Sequence, residues 1–277
     1  MQGSSPQMPR IFAVANQKGG VGKTTTTVNI ATAFSAMGHR VLLIDMDPQG
    51  NAGTGLGVRR SMVKKSVYDV LFEQSSARDA IIKTKVPRLA IMPSSMHLSG
   101  ADIELSNSKK RESRLKSALA DIAEDYDYII IDCPPSLNFL TINALVAANS
   151  IIVPLQCEFY ALEGLSQLTK TVKLVQKHYN PELEIHGIVL TMYDKRNRIT
   201  RLVEKDVREY FKDKVYNTTI PRNVKLSEAP SYGLPALVYD MKCAGAQSYI
   251  KLAREILNKE KQGNCPITQP NNQSEVA

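Results

Sequence analysis

The stretch Ala15-Asn16-Gln17-Lys18-Gly19-Gly20-Val21-Gly22-Lys23-Thr24-Thr25 constrains this chain more than any other. It follows the apolar run Ile11 to Ala15, which reads as a buried parallel strand. It precedes Val28 to Met37, an alanine-rich run with apolar residues at helical spacing. A glycine-rich loop between a strand and a helix is the setting a bound phosphate needs. Glycines let backbone N–H groups crowd an anion without Cβ clashes, and the helix N-terminus adds the positive end of its dipole. Gly19, Gly20, Val21, Gly22 and Thr25 would form the cradle. Lys23 stands where it reaches β- and γ-phosphates, and the Thr24 hydroxyl where it holds Mg2+.

The run departs from G-x-x-x-x-G-K-[ST], because Gln17 stands where the first glycine belongs. It carries a surplus lysine, Lys18, just before the glycines. One reason for a second lysine is that it completes the site of another subunit. The alternative, a tight glycine turn with solvated lysines, ignores the strand and helix on either side.

The 277 residues suffice for one large α/β domain or two small ones, and 43% of them are hydrophobic, so a sizeable core can form. No apolar run approaches a membrane span. Four cysteines, at 133, 157, 243 and 265, include no C-x-x-C pair and suit neither zinc nor a disulfide framework, so a reducing cytoplasm is the simplest setting. A net charge of +8 invites a polyanionic partner without requiring one.

Apolar strands alternate with helices along the chain. Strands are expected over 40–45, 88–92, 128–132, 150–155 and 185–192, with an edge strand over 215–220. Helices are expected over 66–72, 102–124, 138–148, 162–178, 200–211 and 242–261, and Gly53, Gly55 and Gly57 are expected to keep their loop loose. This alternation predicts an α/β fold: a doubly wound, mostly parallel sheet with helices on both faces. A single domain over 10–261 is expected, between a disordered lead-in over 1–9 and a disordered polar tail over 262–277.

Two carboxylate sites complete a nucleoside triphosphatase. Asp132 ends a strand and matches the Walker B aspartate, a magnesium ligand directly or through water. Asp45 and Asp47 end the strand that follows the first helix. We assign Asp47 to the attacking water and Asp45 to the magnesium shell; the lesser alternative is that one of the pair does no more than cap a turn.

These runs, with Asp45-Met46-Asp47-Pro48-Gln49-Gly50-Asn51 and Ile131-Asp132-Cys133-Pro134-Pro135, resemble the deviant Walker A ATPases, and among them the ParA/Soj partition ATPases. Matching stretches over 154–164 and 220–231 extend the resemblance to about residues 10–260. It implies ATP and Mg2+ held in a face-to-face homodimer. In that dimer Lys18 would cross to the partner's phosphates, and Pro221, Arg222 and Asn223 would lie near the adenine. Glu158, Tyr160 and Glu163 would lie on the dimer face. It further implies non-specific binding to nucleoid DNA and release when a ParB/Spo0J-type protein stimulates hydrolysis, in a cytoplasmic, nucleoid-associated protein without a membrane partner. One departure is Lys242-Cys243-Ala244-Gly245-Ala246, which lacks a hydroxyl and a basic residue usual at that turn and weakens any DNA contact there.

Arg201, Lys205, Arg208 and Lys212 recur at helical spacing, after a basic loop with Lys195, Arg196 and Arg198. Such a stripe suits phosphate contacts, which give affinity without reading sequence. Taken alone it equally suits a solvated helix with i,i+4 partners. The resemblance favours DNA and points first to Arg196 and Lys225. Two other destinations are a MinD-like membrane cycle, which would need an amphipathic C-terminal helix, and positioning of a protein cargo. A redox role, as in nitrogenase iron protein, would need a second cysteine ligand beside Cys133. An N-terminal helix-turn-helix, present in some relatives, is not expected, because the phosphate loop starts within the first twenty residues.

Overall fold

The computed structural model describes residues 8–106 and 108–263. The expected lead-in and tail, Cys265 included, lie outside these residues apart from 8–9 and 262–263.

Among the described residues a seven-stranded sheet is formed by β1 (Arg10–Val14), β2 (Val41–Asp45), β3 (Ile82–Lys83), β4 (Leu89–Met92), β5 (Tyr128–Asp132), β6 (Ser150–Gln156) and β7 (Glu184–Thr191). Their order across the sheet is β3-β4-β2-β5-β1-β6-β7, and every pairing is parallel except β3 with β4. The helices are α1 (Lys23–Ala36), α2 (Asn51–Gly55), α3 (Val67–Leu71), α4 (Ala101–Glu104), α5 (Arg114–Leu119), α6 (Phe139–Ala147), α7 (Ala161–His178), α8 (Arg198–Phe211), α9 (Val224–Glu228), α10 (Ala236–Tyr239) and α11 (Ala244–Gly263).

The strands are apolar on both faces because both are covered. Phe12 and Val14 of β1, Val41 and Leu43 of β2 and Ile130 of β5 join a core with α1 and α11. The alternate residues Ala13, Leu42, Ile44, Ile129 and Ile131 join a second core with α5, α6 and α7. A period of two thus sorts each strand between two layers. Register then does the functional work: Asp132 pairs with Val14 on one side and Asp45 on the other, so both carboxylate-bearing strand ends lie on one side of the start of the phosphate loop, level with it.

Three expectations fail locally, and one strand was not foreseen. The helix expected over 102–124 is two short helices, α4 and α5, with 3-10 turns at Arg111–Ser113 and Ala120–Asp125. Its interior polar groups find better partners on α6. Asp102 accepts the Phe139 N–H, and Asn143 bonds both the Leu115 N–H and the Arg111 carbonyl. The edge strand over 215–220 is absent; Val215 and Pro221 make isolated bridges to Ile188 and Tyr193. The loose glycine loop is instead α2, whose Ala52, Gly53 and Gly55 are buried. The two-residue antiparallel β3, with a half-buried and an exposed residue, was not expected because it is too short to show a period.

Candidate functional site

The loop between β1 and α1 is held by its own Asn16 and by groups from β6 and β7. The Asn16 amide donates to the Pro154 carbonyl at 2.7 Å and its oxygen accepts the Lys18 N–H at 3.0 Å. The Thr191 hydroxyl donates to the Val21 carbonyl at 2.8 Å. Gly20 and Gly22 have φ of 73° and 86°, left-handed backbone that only glycine adopts without strain. Gly22 occupies the N-cap of α1, where no side chain caps the helix and no acid stands in the first turn. The first N–H groups of α1 therefore face an open position with the positive end of the dipole behind them.

Lys23 is buried at 7% exposure, and its ammonium donates to the Lys18 carbonyl at 3.0 Å. Burial lowers its pKa, partly offset by Asp132 and then by Cys133 and Asp47. Asp132 is fully buried. Its Oδ1 accepts the Thr27 hydroxyl at 2.9 Å, Oδ2 has no partner, and the Thr24 side chain lies close to the carboxylate. Burial pushes the Asp132 carboxyl up to about 7, against the pull of Thr24 and Thr27. Cys133 is buried with a raised pKa, again from burial first, which leaves it a neutral thiol.

Asp45 and Asp47 part company. Asp45 Oδ2 accepts the N–H groups of Ala52 and Gly53 at 3.1 Å each, and Oδ1 accepts that of Asp47 at 3.2 Å. Its oxygens thus serve the turn into α2. These bonds are the turn-capping role expected of one of the pair. Asp47 accepts only the Gln49 N–H, on Oδ1 at 2.9 Å, and its backbone carbonyl is fixed by the Ser94 hydroxyl at 2.5 Å. Its Oδ2 has no hydrogen bond among the described residues.

The expected peripheral residues fall in three groups. Lys18 forms an ion pair with Glu158 of its own chain, beside exposed Tyr160 and Glu163 at the start of α7. Pro221 bridges Tyr193, two residues beyond the Thr191 that touches the loop; Arg222 is exposed; the Asn223 oxygen caps α9 by accepting the Lys225 N–H at 2.9 Å. Of the basic residues, Arg198, Arg201 and Lys205 are exposed on α8. Arg196 is 87% exposed and bound to Asp194 at 3.0 Å, and Lys225 pairs with Glu228 at 2.9 Å. Arg208 is half-buried and already engaged. It donates to Glu204 at 2.9 Å and to the Tyr216 carbonyl at 3.2 Å, tying α8 to the chain behind it. The stripe also stops before Lys212, which lies in a 3-10 turn with φ of 45°.

Reading by residue type missed Asn16, Thr27, Ser94 and Thr191, which position the groups above. Thr27 alone had a signal, one helical turn after Lys23 on the same face.

A strand–loop–helix phosphate cradle on a doubly wound parallel sheet, with an acid at the neighbouring strand end, defines a P-loop ATPase. A family model for an AAA domain matches residues 9–185. The chain is similar to the chromosome partitioning protein ParA of Caulobacter vibrioides, 56% identical over 91% of this chain and 95% of the relative. It is also similar to the sporulation initiation inhibitor protein Soj of Bacillus subtilis, 54% identical over 90% of this chain and 98% of that one. Among solved structures, cobyrinic acid a,c-diamide synthase from Mycobacterium smegmatis with bound ADP and magnesium superposes with a TM-score of 0.81. It is 39% identical, and the match covers 92% of this chain and 97% of that one. The chain belongs to the ParA/Soj family of partition ATPases.

Proposed function

We propose that this protein hydrolyses ATP with Mg2+ and uses the ATP-bound state to hold DNA for partition. The observation that carries the reading is the buried Asp132 Oδ2, unpartnered beside Thr24 and Lys23 at an uncapped helix N-terminus. A buried carboxylate oxygen without a partner is costly, so it fits a cation the chain itself does not supply. Magnesium is commonly held by one or two carboxylates, phosphates and water, which suits Asp132 and Thr24 without a larger acidic cluster. Once bound, the ion would neutralise charge on the β- and γ-phosphates.

The chain's own groups do the rest. The N–H groups of the loop and of the start of α1 bind phosphate oxygens, and Lys23 holds the β/γ bridge. Asp47, with Oδ2 free and its backbone fixed by Ser94, orients the attacking water and takes up its proton. Lys18 leaves Glu158 and meets the phosphates of a second copy, stabilising charge that develops during transfer. Glu158, Tyr160 and Glu163 then face that copy, and Pro221, Arg222 and Asn223 flank the adenine. Exposed Arg196, Arg198, Arg201 and Lys205 contact DNA phosphates together with Lys225. A ParB/Spo0J-type protein stimulates hydrolysis, which ends the dimer and releases DNA in the cytoplasm. Without that protein turnover is slow, because no single chain holds a complete site. No helix among the described residues is long and apolar enough to cross a membrane.

The test is DNA binding with ATP, ADP or no nucleotide at several salt concentrations. Binding that requires ATP, ignores sequence and falls steeply with salt supports the reading. Equal binding in all three nucleotide states contradicts it.

A further inference from the structure

A cleft of about 1080 Å3 opens beside the Asp47 loop, and no residue of the phosphate loop lines it. Five cations, Arg59, Arg60, Lys64, Lys83 and Lys85, stand exposed around it. None of them forms an ion pair among the described residues. The acids that line the cleft are already engaged. Asp69 is held by Lys65 and by the Ser66 N–H and hydroxyl, and Asp45 is buried under backbone N–H groups. The positive charge of the cleft is therefore uncompensated.

Between the cations lie apolar side chains that water does not favour. Met62 is 49% exposed, Met96 52% and Tyr232 66%, and all three line the cleft. The buried Ser95 hydroxyl in its wall has no partner. The wall near Tyr232 is fixed at a backbone contact where a Cβ on Gly57 would come within 2.8 Å of the Gly233 carbonyl oxygen.

We propose that this cleft docks an acidic peptide segment of a partner protein, one that carries apolar side chains among its carboxylates. The five cations would meet the carboxylates, Met62, Met96 and Tyr232 the apolar side chains, and Ser95 a backbone carbonyl. The space of about 1080 Å3 suits several residues of extended chain. Flexible methionines at a binding surface also suit a peptide better than a phosphate backbone.

The probe is a fluorescein-labelled peptide of mixed Asp, Glu and Leu, titrated by anisotropy with the full chain. Two variants of equal charge change are compared: Arg60→Glu with Lys83→Glu in the cleft, and Lys170→Glu with Lys173→Glu on α7. The cleft pair should weaken binding about tenfold or more and the α7 pair less than about twofold. Met62→Asp, an exposed single change, should also weaken binding, and it serves if the double variant does not fold. Equal losses for both pairs mean that net charge alone attracts the peptide and overturn the proposal. So does unchanged binding in the cleft variants. A cleft pair that weakens duplex DNA binding as much as peptide binding reassigns the surface to DNA and overturns it too.

Discussion

Two buried charged clusters sit near opposite ends of the strands, and they are built on opposite rules. At the carboxyl ends, Lys23, Asp132 and Asp47 crowd together, yet Asp132 Oδ2 has no partner and Lys23 has only a backbone carbonyl. Near the amino ends both oxygens of Glu260 are met, one by His186 Nε2 at 3.0 Å and the other by the Arg10 guanidinium at 2.9 Å. The Arg10 contact is an ion pair in which Nε is not aligned for a hydrogen bond, while His186 Nδ1 lies 2.5 Å from the Tyr216 hydroxyl. Charges that complete one another hold elements together. A cluster with an uncompensated acid is shaped for something the chain lacks. The far cluster joins β1, β7 and α11; the near one joins nothing that β1, β2 and β5 do not already join.

The contrast predicts opposite outcomes for similar mutations. The largest effect is on nucleotide affinity: Lys23→Ala should weaken ATP binding by about 100-fold or more, roughly 2.7 kcal/mol. The melting temperature without nucleotide should hardly fall, since a desolvated ammonium is removed. A large fall there would mean that Lys23 is structural. At the far cluster Glu260→Ala should cost about 3 kcal/mol of stability, because it strands Arg10 and His186, and should leave ATP affinity unchanged.

That second cost should depend on pH. Burial alone would raise the Glu260 pKa, but the bonds from His186 and Arg10 outweigh it and the net shift is downward. A carboxylate with a depressed folded pKa stabilises above its unfolded value and loses that stabilisation as pH falls through the folded one. The gap between wild type and Glu260→Gln should therefore be full at neutral pH and close below about pH 4.3. A constant gap down to acid pH would remove the ion pairs from the account.

Within the near cluster, Asp45 and Asp47 sharpen the same contrast. Asp45→Ala should lower stability by about 1–2 kcal/mol through the lost turn into α2. Asp47→Ala should leave stability within about 0.5 kcal/mol and cost about 100-fold or more in turnover. Similar stability losses for both would mean that neither is reserved for chemistry. The smallest effect is at Asn138, which accepts the Thr141 N–H at 3.3 Å as the cap of α6; Asn138→Ala should cost about 1 kcal/mol and leave ATP binding intact.

The near cluster was legible in the sequence because its parts are contiguous or end apolar strands. Lys23 and Thr24 follow glycines at fixed spacing, and Asp132 closes Tyr128-Ile129-Ile130-Ile131. The far cluster was not legible. Arg10, His186, Tyr216 and Glu260 are scattered along the chain and meet only through the fold. Asp45 and Asp47 look alike on paper because their difference is a set of backbone N–H groups delivered by α2, a helix hidden by its glycines. Arg208 has the spacing of a surface stripe but turns inward to a carbonyl at Tyr216, which no periodicity reports. The break in the helix expected over 102–124 has the same origin, because Asn143 on α6 outcompetes the helix for its own backbone groups.

The most direct measurement is a thermal melt with and without ATP and Mg2+ for wild type, Asp132→Asn and Glu260→Gln. A ligand that binds only the folded state raises the melting temperature in proportion to its affinity. Wild type and Glu260→Gln should rise by similar amounts, from different starting points, and Asp132→Asn should rise far less with Mg2+ present. An equal rise in Asp132→Asn, or a rise lost in Glu260→Gln, would contradict the division between the two clusters.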